Sequence, residues 1–366
     1  MLDSTIDRTI LASGLQLAAG IADVKSTMPV LANVLLRSIG SDGILLVASD
    51  LTVSLGAEIP SQNRSEGAIL LGAKTFHGVV SNLSGVDLRL EESNGHRIII
   101  RSGRSNFRLS GLSADTYPKI PDPHGTWFEV DASVFRSMLN KALHSVCKDA
   151  TRFHLNGAYF ESDGAMISMV STDGHRLGKV EAHQKGPFLE KGVILPTKGM
   201  IAIKRVSSEA KKSFQIAVEP PYFFVKVGWI TLTTKLIDAE YPPYEAILAL
   251  DNDKRLVVAR QALIEALRRT QIVAEESVGV RLTAHGSRIM IRGGEAGKDD
   301  AYELLDVEYG GPKVELALNP AYLCDLLLRM EDPSVVIEAK DSNSPVLLRE
   351  KGSASYLGAV MPLRLS

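Results

Sequence analysis

The chain repeats one order of elements three times, which restricts it to folds built from three copies of a single unit. Each third opens on a segment with apolar residues at helical spacings of three and four, at 10–17, 134–143 and 262–269. A strand, a turn and a second strand follow, over 43–53 in the first third and 165–180 in the second. A second helix comes next, over 73–80, 197–203 and 319–327. Each copy then closes on a strand pair and a proline: 97–101 with 106–110 before Pro118, 223–227 with 229–233 before Pro242, and 346–349 with 356–360 before Pro362. The landmarks keep register, since Asp50 and Asp173 are 123 residues apart and Lys74 and Lys198 are 124 apart.

At 366 residues the chain exceeds one core of ordinary size. The repeat predicts domains over 1–122, 126–249 and 253–366, with linkers near 119–125 and 249–254 that are rich in Pro, Asp or Asn. Strands come in runs, whereas parallel βαβ units would put a helix between nearly every pair. The expected class is therefore α+β, with two helices on antiparallel sheets in each unit. Only two cysteines occur, Cys147 and Cys324, too far apart in sequence to suggest a disulfide framework or a paired-cysteine zinc site. No basic segment followed by an apolar core opens the sequence, and no apolar run reaches membrane-spanning length. A cytoplasmic protein without membrane contact, metal or cofactor is expected.

Residues 171–177, Ser171, Thr172, Asp173, Gly174, His175, Arg176 and Leu177, form the most distinctive polar stretch. They follow an apolar run and predict a hairpin turn at Asp173 and Gly174 that presents His175 and Arg176. A carboxylate beside an imidazole suggests acid–base chemistry, so a hydrolase using Asp173 and His175 is one hypothesis. No nucleophile motif, metal-ligand spacing or phosphate-cradling loop accompanies them. The first copy of the turn, at Ser49, Asp50 and Leu51, keeps only the aspartate. A shared aspartate points to a structural cap on the turn, and what is peculiar to the second copy points to function.

Charge gives a second lead. The formal net charge is −2, yet basic residues gather on the expected helices and their exits. These are Lys25 and Lys74 in the first third, Arg136, Lys141, Lys148, Arg152, Lys198, Lys204 and Arg205 in the second, and Arg260, Arg268 and Arg269 in the third. If the helices share a face, that face attracts a polyanion through its phosphates without reading bases. The ends of the repeat differ in charge as well. An expected edge strand at 103–109 carries Arg104 and Arg108 with Phe107 and Leu109, while one at 299–306 carries Asp299, Asp300 and Glu303 with Leu304 and Leu305. Unlike ends favour head-to-tail contact between chains.

The 171–177 stretch resembles the bacterial β sliding clamps, the processivity subunits of DNA polymerase III. So do Leu155, Asn156 and Gly157, the run from Ser102 to Ser105, the pair Tyr241 and Pro242, and the terminal run from Val360 to Leu365. The resemblance spans the whole chain. It implies three similar α+β domains, two chains closed head to tail into a ring, helices lining the hole, and no catalysis. The implied partners are duplex DNA bound without sequence preference, the DNA polymerase III alpha subunit, an ATP-driven clamp loader, and other clamp-binding polymerases and repair proteins. Clamp partners insert a short apolar peptide into a groove, and the matching positions are Leu155, Thr172, Gly174, His175, Arg176, Leu177, Pro242, Ile247, Val360, Met361, Pro362, Leu363 and Arg364, extended by Asn319, Tyr322, Asn343 and Pro345. Lys25, Lys74, Lys148, Arg152 and Lys198 are expected to face DNA. Arg104, Phe107, Leu109 and Glu303 are expected at the dimer interface, where Ile272 and Val273 match family positions that pack against Phe107 and Leu109. Ala246 stands where family members often carry arginine, and Ser366 extends the C-terminus, so partner preference stays open, as does a clamp paralogue with altered partner or inhibitor binding.

Overall fold

The computed structural model describes residues 1–274, 279–294 and 299–364. The chain divides into two compact units, one of residues 1–133 and 198–236, the other of 134–197 and 237–366. Each unit holds one twelve-stranded sheet. All strand pairings among the described residues are antiparallel, as the runs of strands predict.

The repeats are continuous in sequence but share their sheets. In the first unit the strand Val53–Ser65 of the first repeat pairs with Ile230–Lys235 of the second, with Val53 opposite Thr234. In the second unit Arg176–Ala182 of the second repeat pairs with Tyr356–Val360 of the third, with Arg176 opposite Val360. These junctions are copies of one design, because each joins the strand after the aspartate turn to the last strand of the next repeat. A backbone bond repeats too: Lys235 N–H donates to the Thr52 carbonyl at 2.8 Å, and Met361 N–H donates to the His175 carbonyl at 2.8 Å. Strand Asp3–Asp7 pairs with both Asp87–Ser93 and Val53–Ser65, so eight strands of the first repeat close a circuit.

Seven α-helices accompany the described strands: α1 Arg8–Ala19, α2 Ala73–Asn82, α3 Ala132–Leu143, α4 Thr197–Val206, a one-turn α5 Glu245–Leu248, α6 Arg260–Thr270 and α7 Pro320–Leu327. Six of them are the two helices expected in each repeat. Asp7 caps α1, its Oδ1 accepting from Thr9 and Ile10 N–H at 2.7 and 3.0 Å. Asn319 caps α7 in the same way, ahead of Pro320 at the first helical position, where the missing N–H costs nothing. The helices bury their apolar stripes, among them Leu11 and Leu15 in α1, Met200 and Ile203 in α4, and Leu263 and Leu267 in α6. The one-turn α5 lies just before the second linker, where the sequence pattern implies no helix.

Two stretches of strand keep an open side. Residues Ser105–Ser110 pair with Arg97–Ser102, and among the described residues no strand covers their other side before Gly111 turns to Leu71. Residues Asp300–Asp306 pair with Arg288–Gly294 and are likewise open until Val307 meets Val258. Both edges overlap the expected segments, but Gly103 and Arg104 lie in the turn before Ser105 and Asp299 lies outside the strand, so Arg104 is not on the edge itself.

Candidate functional site

The turn after Ile167–Thr172 is held on every side. Asp173 Oδ1 accepts from the N–H groups of His175 and Arg176, both at 3.0 Å, and Oδ2 takes Arg176 Nε at 3.0 Å. Gly174 sits at φ +88°, the left-handed region in which glycine avoids the side-chain clash. Thr172 Oγ1 donates to the Arg176 carbonyl at 2.7 Å, and Arg152 Nη1 donates to the Asp173 carbonyl at 2.8 Å. Asp50 caps the first copy alike, accepting from Thr52 and Val53 N–H at 2.9 and 2.7 Å. The shared aspartate is thus a cap. Both oxygens of Asp173 are engaged in holding the turn and its arginine. Among the described residues no group of His, Cys, Asp or Glu could hold a metal ion.

From this turn the second repeat reaches the third. Arg176 Nη1 meets Asp325 Oδ2 at 2.5 Å on α7, and its guanidinium lies 4.6 Å from the ring centre of Tyr322. The His175 ring stacks on Tyr322 with centroids 6.4 Å apart at 21°. On the other side the chain leaves Val360 by the Met361 bond to His175 and continues to Leu363, whose N–H donates to the Ala317 carbonyl at 2.8 Å. Turn, helix and C-terminal segment therefore form one surface.

Beneath it lies an apolar floor. Leu155 and Leu177 are buried in one cluster with Tyr241 and Ala359, on which Ile247 packs, whereas Val360, also buried, stands opposite Arg176 and so shares the other face of the sheet. Tyr241 stacks flat on Tyr159, with centroids 5.0 Å apart at 6°, and its hydroxyl donates to the Val170 carbonyl at 3.3 Å. Pro242, beside it, is partly exposed. Gly157 is required next to this floor, since a Cβ there would stand 2.3 Å from the Leu195 carbonyl oxygen. Met361 keeps 39% of its surface exposed, Pro362 and Leu363 are partly exposed, and Arg364 is exposed. Of the other expected groove residues, Asn319 has its side chain engaged in capping α7, and Asn343 is exposed in the turn before Val346. Pro345 precedes Val346, which pairs with Val360, so Pro345 stands at the level where the C-terminal segment departs. Leu365 and Ser366 lie outside the described residues.

Behind the turn His144 is buried against Tyr356, with Nδ1 2.8 Å from the Lys141 carbonyl. A ring nitrogen facing a carbonyl must carry the proton, so the neutral ring fits. Burial, helped by Arg329 and Arg176, lowers its pKa from 6.5 to about 3. A histidine depressed in the folded state takes up its proton first when unfolded. Its contribution is present above about pH 6.5 and is lost as the pH falls toward 3. Chemical denaturation at pH 7 and pH 5 is expected to differ by about 2 kcal/mol from this residue, a difference that His144→Gln removes.

The DNA-facing expectations separate into two groups. Lys25, Lys74 and Lys148 are exposed and, among the described residues, lack an ion-pair partner, although Lys25 follows α1 in a loop and is not on a helix. Lys198 and Arg152 are engaged. The Lys198 ammonium contacts the carboxylate of Asp50, whose side chain is fully buried. Arg152 braces the 173–176 turn and lies 3.6 Å from Asp149, so its geometry ties it to that turn. The wider count of basic residues needs the same correction. Lys141 is buried over Tyr356 and pairs with Glu331, Arg205 donates to the Gln16 carbonyl at the end of α1, and Arg260 donates to the carbonyls of Asp332 and Leu327. Charge counting cannot distinguish a cation facing solvent from one that closes a helix end. Lys198→Ala leaves a buried carboxylate short of its cation and is expected to lower stability by about 1–2 kcal/mol in urea denaturation.

Three family profiles match the chain in order: the N-terminal domain of the DNA polymerase III beta subunit over residues 2–121, its central domain over 129–243 and its C-terminal domain over 245–364. The chain belongs to the β sliding clamp family. It is a processivity subunit without catalytic activity of its own. The beta sliding clamp of Pseudomonas aeruginosa is 32% identical over 368 residues, covering 99% of both chains, and that of Escherichia coli K12 is 30% identical over 366 residues with the same coverage. A crystal structure of the Pseudomonas aeruginosa sliding clamp with ligand superposes with a TM-score of 0.94 at 30% identity over the full length of both chains. Family membership agrees with the chemistry at 173–176, where a capped turn rather than an acid–base dyad is found.

Proposed function

We propose that the chain closes as a homodimer around duplex DNA and tethers the replicative polymerase, and other partners of clamps, through the groove at the 173–176 turn. The observation that carries this reading is the surface at that turn. Arg176 ties the second repeat to α7 of the third, and the C-terminal segment is bonded to the same turn, beside a floor of Leu155, Leu177 and Ala359. An apolar floor with convergent polar groups at its rim is what a short peptide with aliphatic or aromatic anchors needs. Ala246, exposed beside Ile247, leaves this rim without a cation at the position where clamps often carry arginine.

The reading assigns DNA contact to exposed, unpaired cations. Changing Lys25, Lys74 and Lys148 to Glu together should weaken association with an open-ended duplex at low salt by at least about tenfold, and the gap should narrow as salt rises. Fluorescence anisotropy across a salt series measures both. Equal binding by the triple variant at low salt would remove these residues from the DNA face. Lys198 and Arg152 are unsuitable for this test, because changing them disturbs the Asp50 pair and the groove turn.

A further inference from the structure

The junction between the first and second repeats contains a cavity of about 570 Å³, lying on the sheet under the linker from Tyr117 to Pro123 and beside Trp127. Sheet register explains why it is open. One row of residues crosses the first unit as Leu35, Val47, Gly56, Thr231 and Lys226. The matching row of the second unit reads Tyr159, Val170, Lys179, Leu357 and Arg349. There the larger side chains stand over the row and divide the space, leaving cavities of about 360 Å³ beside Tyr159 and Lys179 and about 490 Å³ beside Tyr159 and Tyr241. Tyr244, just before α5, contacts Tyr159 edge-on, stands under the Lys179 ammonium and donates to Glu161, while Lys179 and Arg349 pair with Glu181 and Glu338.

In the first unit glycine replaces the central lysine, leucine replaces the tyrosine, and Ile120 is partly buried against the cluster around Tyr117. The cations are also left unmatched. Arg37, Lys119 and Lys226 border the cavity, and among the described residues none has a carboxylate within ion-pairing distance, although Glu58 and Asp122 also line the space. An aliphatic floor of Leu35, Leu45 and Val47 bounded by unpaired cations matches an extended segment that alternates apolar and acidic side chains.

We propose that this cavity is a second peptide-binding site, selective for an acidic segment with an aliphatic anchor. The anchor lies over Gly56, and its flanking carboxylates meet Arg37 and Lys226. The proposal stands on the first unit alone and does not depend on the groove at 173–176.

Trp127 lines the cavity and reports on it directly. In a Trp229→Phe background it is the sole tryptophan of the full-length protein, because the chain contains two. The probe is the capped peptide Glu-Leu-Val-Glu, with Gln-Leu-Val-Gln as its uncharged counterpart. The acidic peptide is expected to shift Trp127 emission saturably, at least about tenfold more tightly than the uncharged one, and less so at high salt. Gly56→Leu should abolish the shift by filling the floor. It should fold, because a Cβ at Gly56 meets its nearest neighbours at 3.8 and 4.0 Å, ordinary contact. Lys226→Ala, an exposed change, should weaken the acidic peptide alone. No saturable shift, equal affinity for the two peptides, or an unaltered shift in Gly56→Leu would each overturn the site. A shift produced equally by duplex DNA and competed by it would assign the cavity to a polyanion and overturn it as well.

Discussion

Deletion of residues 361–366 is expected to reduce binding of a polymerase alpha-subunit peptide by at least about 100-fold, the size of a lost interface hot spot, and to leave the fold in place. The fold survives because the last strand, Tyr356–Val360, keeps both neighbours, Arg176–Ala182 and Val346–Glu350. What is lost is the Met361 bond to the His175 carbonyl, the Leu363 bond to the Ala317 carbonyl and the partly exposed apolar surface between them. One bonded rim of the groove disappears with the tail, while the floor stays. Met361→Ala separates the effects, since it keeps the backbone bond and removes only the side chain, and it should cost less than the deletion. Anisotropy with a labelled peptide reads the affinity, and thermal unfolding reads the fold. Unchanged affinity in the deleted protein would show that the groove lies elsewhere.

The same surface explains why His175 and Arg176 occur in the second copy of the turn and not in the first. At the first turn the aspartate cap is present, but Thr52 and Val53 occupy the positions of His175 and Arg176, and Lys198 contacts Asp50 in place of an arginine from the turn itself. The cap is a requirement of the hairpin. The arginine is a requirement of the junction with α7, where Asp325 and Tyr322 receive it. Both turns are therefore built for structure, and only the second carries an arginine that reaches α7.

Much of this was legible in the sequence, for identifiable reasons. Three-fold recurrence of helix and strand periods predicts six of the helices, and the residues before the last prolines predict the closing strand pairs, because these signals are local. The sharing of sheets between repeats was not legible. It depends on the pairing of Val53 with Thr234 and of Arg176 with Val360, which are 181 and 184 residues apart and carry no local signature. The role of Arg152 was also hidden, since its charge placed it with the DNA-facing residues while its partner is a backbone carbonyl. Asp325 was missed for a similar reason, as one carboxylate on an apolar helix has no motif. The cavity near Trp127 was hidden because it results from what Gly56 lacks.

Ring closure should fail when Ile272 and Val273 are both changed to alanine. The open edge at Ser105–Ser110 carries Phe107, 40% exposed, while the edge at Asp300–Asp306 carries Tyr302 and Leu304, 65% and 53% exposed. Ile272, at the exit of α6, is an apolar side chain 80% exposed among the described residues. Open edges with apolar side chains favour pairing with another chain, and contact between unlike edges closes head to tail. Charge complementarity has a smaller share than the sequence suggests. Arg292 holds Asp300 at 2.9 Å, Arg269 holds Glu303, and Arg288 lies 3.8 Å from Asp306, so the acidic edge is largely matched before a partner arrives. Arg104→Glu should then weaken the dimer modestly, by about tenfold or less, as a rim charge does. Truncating Ile272 and Val273 removes about 2–3 kcal/mol of apolar burial at each contact, and a closed pair of chains has two such contacts. Sedimentation velocity at micromolar concentration should find the wild type dimeric and the double variant mostly monomeric. A monomeric wild type, or a double variant that stays fully dimeric there, would place the interface on other surfaces.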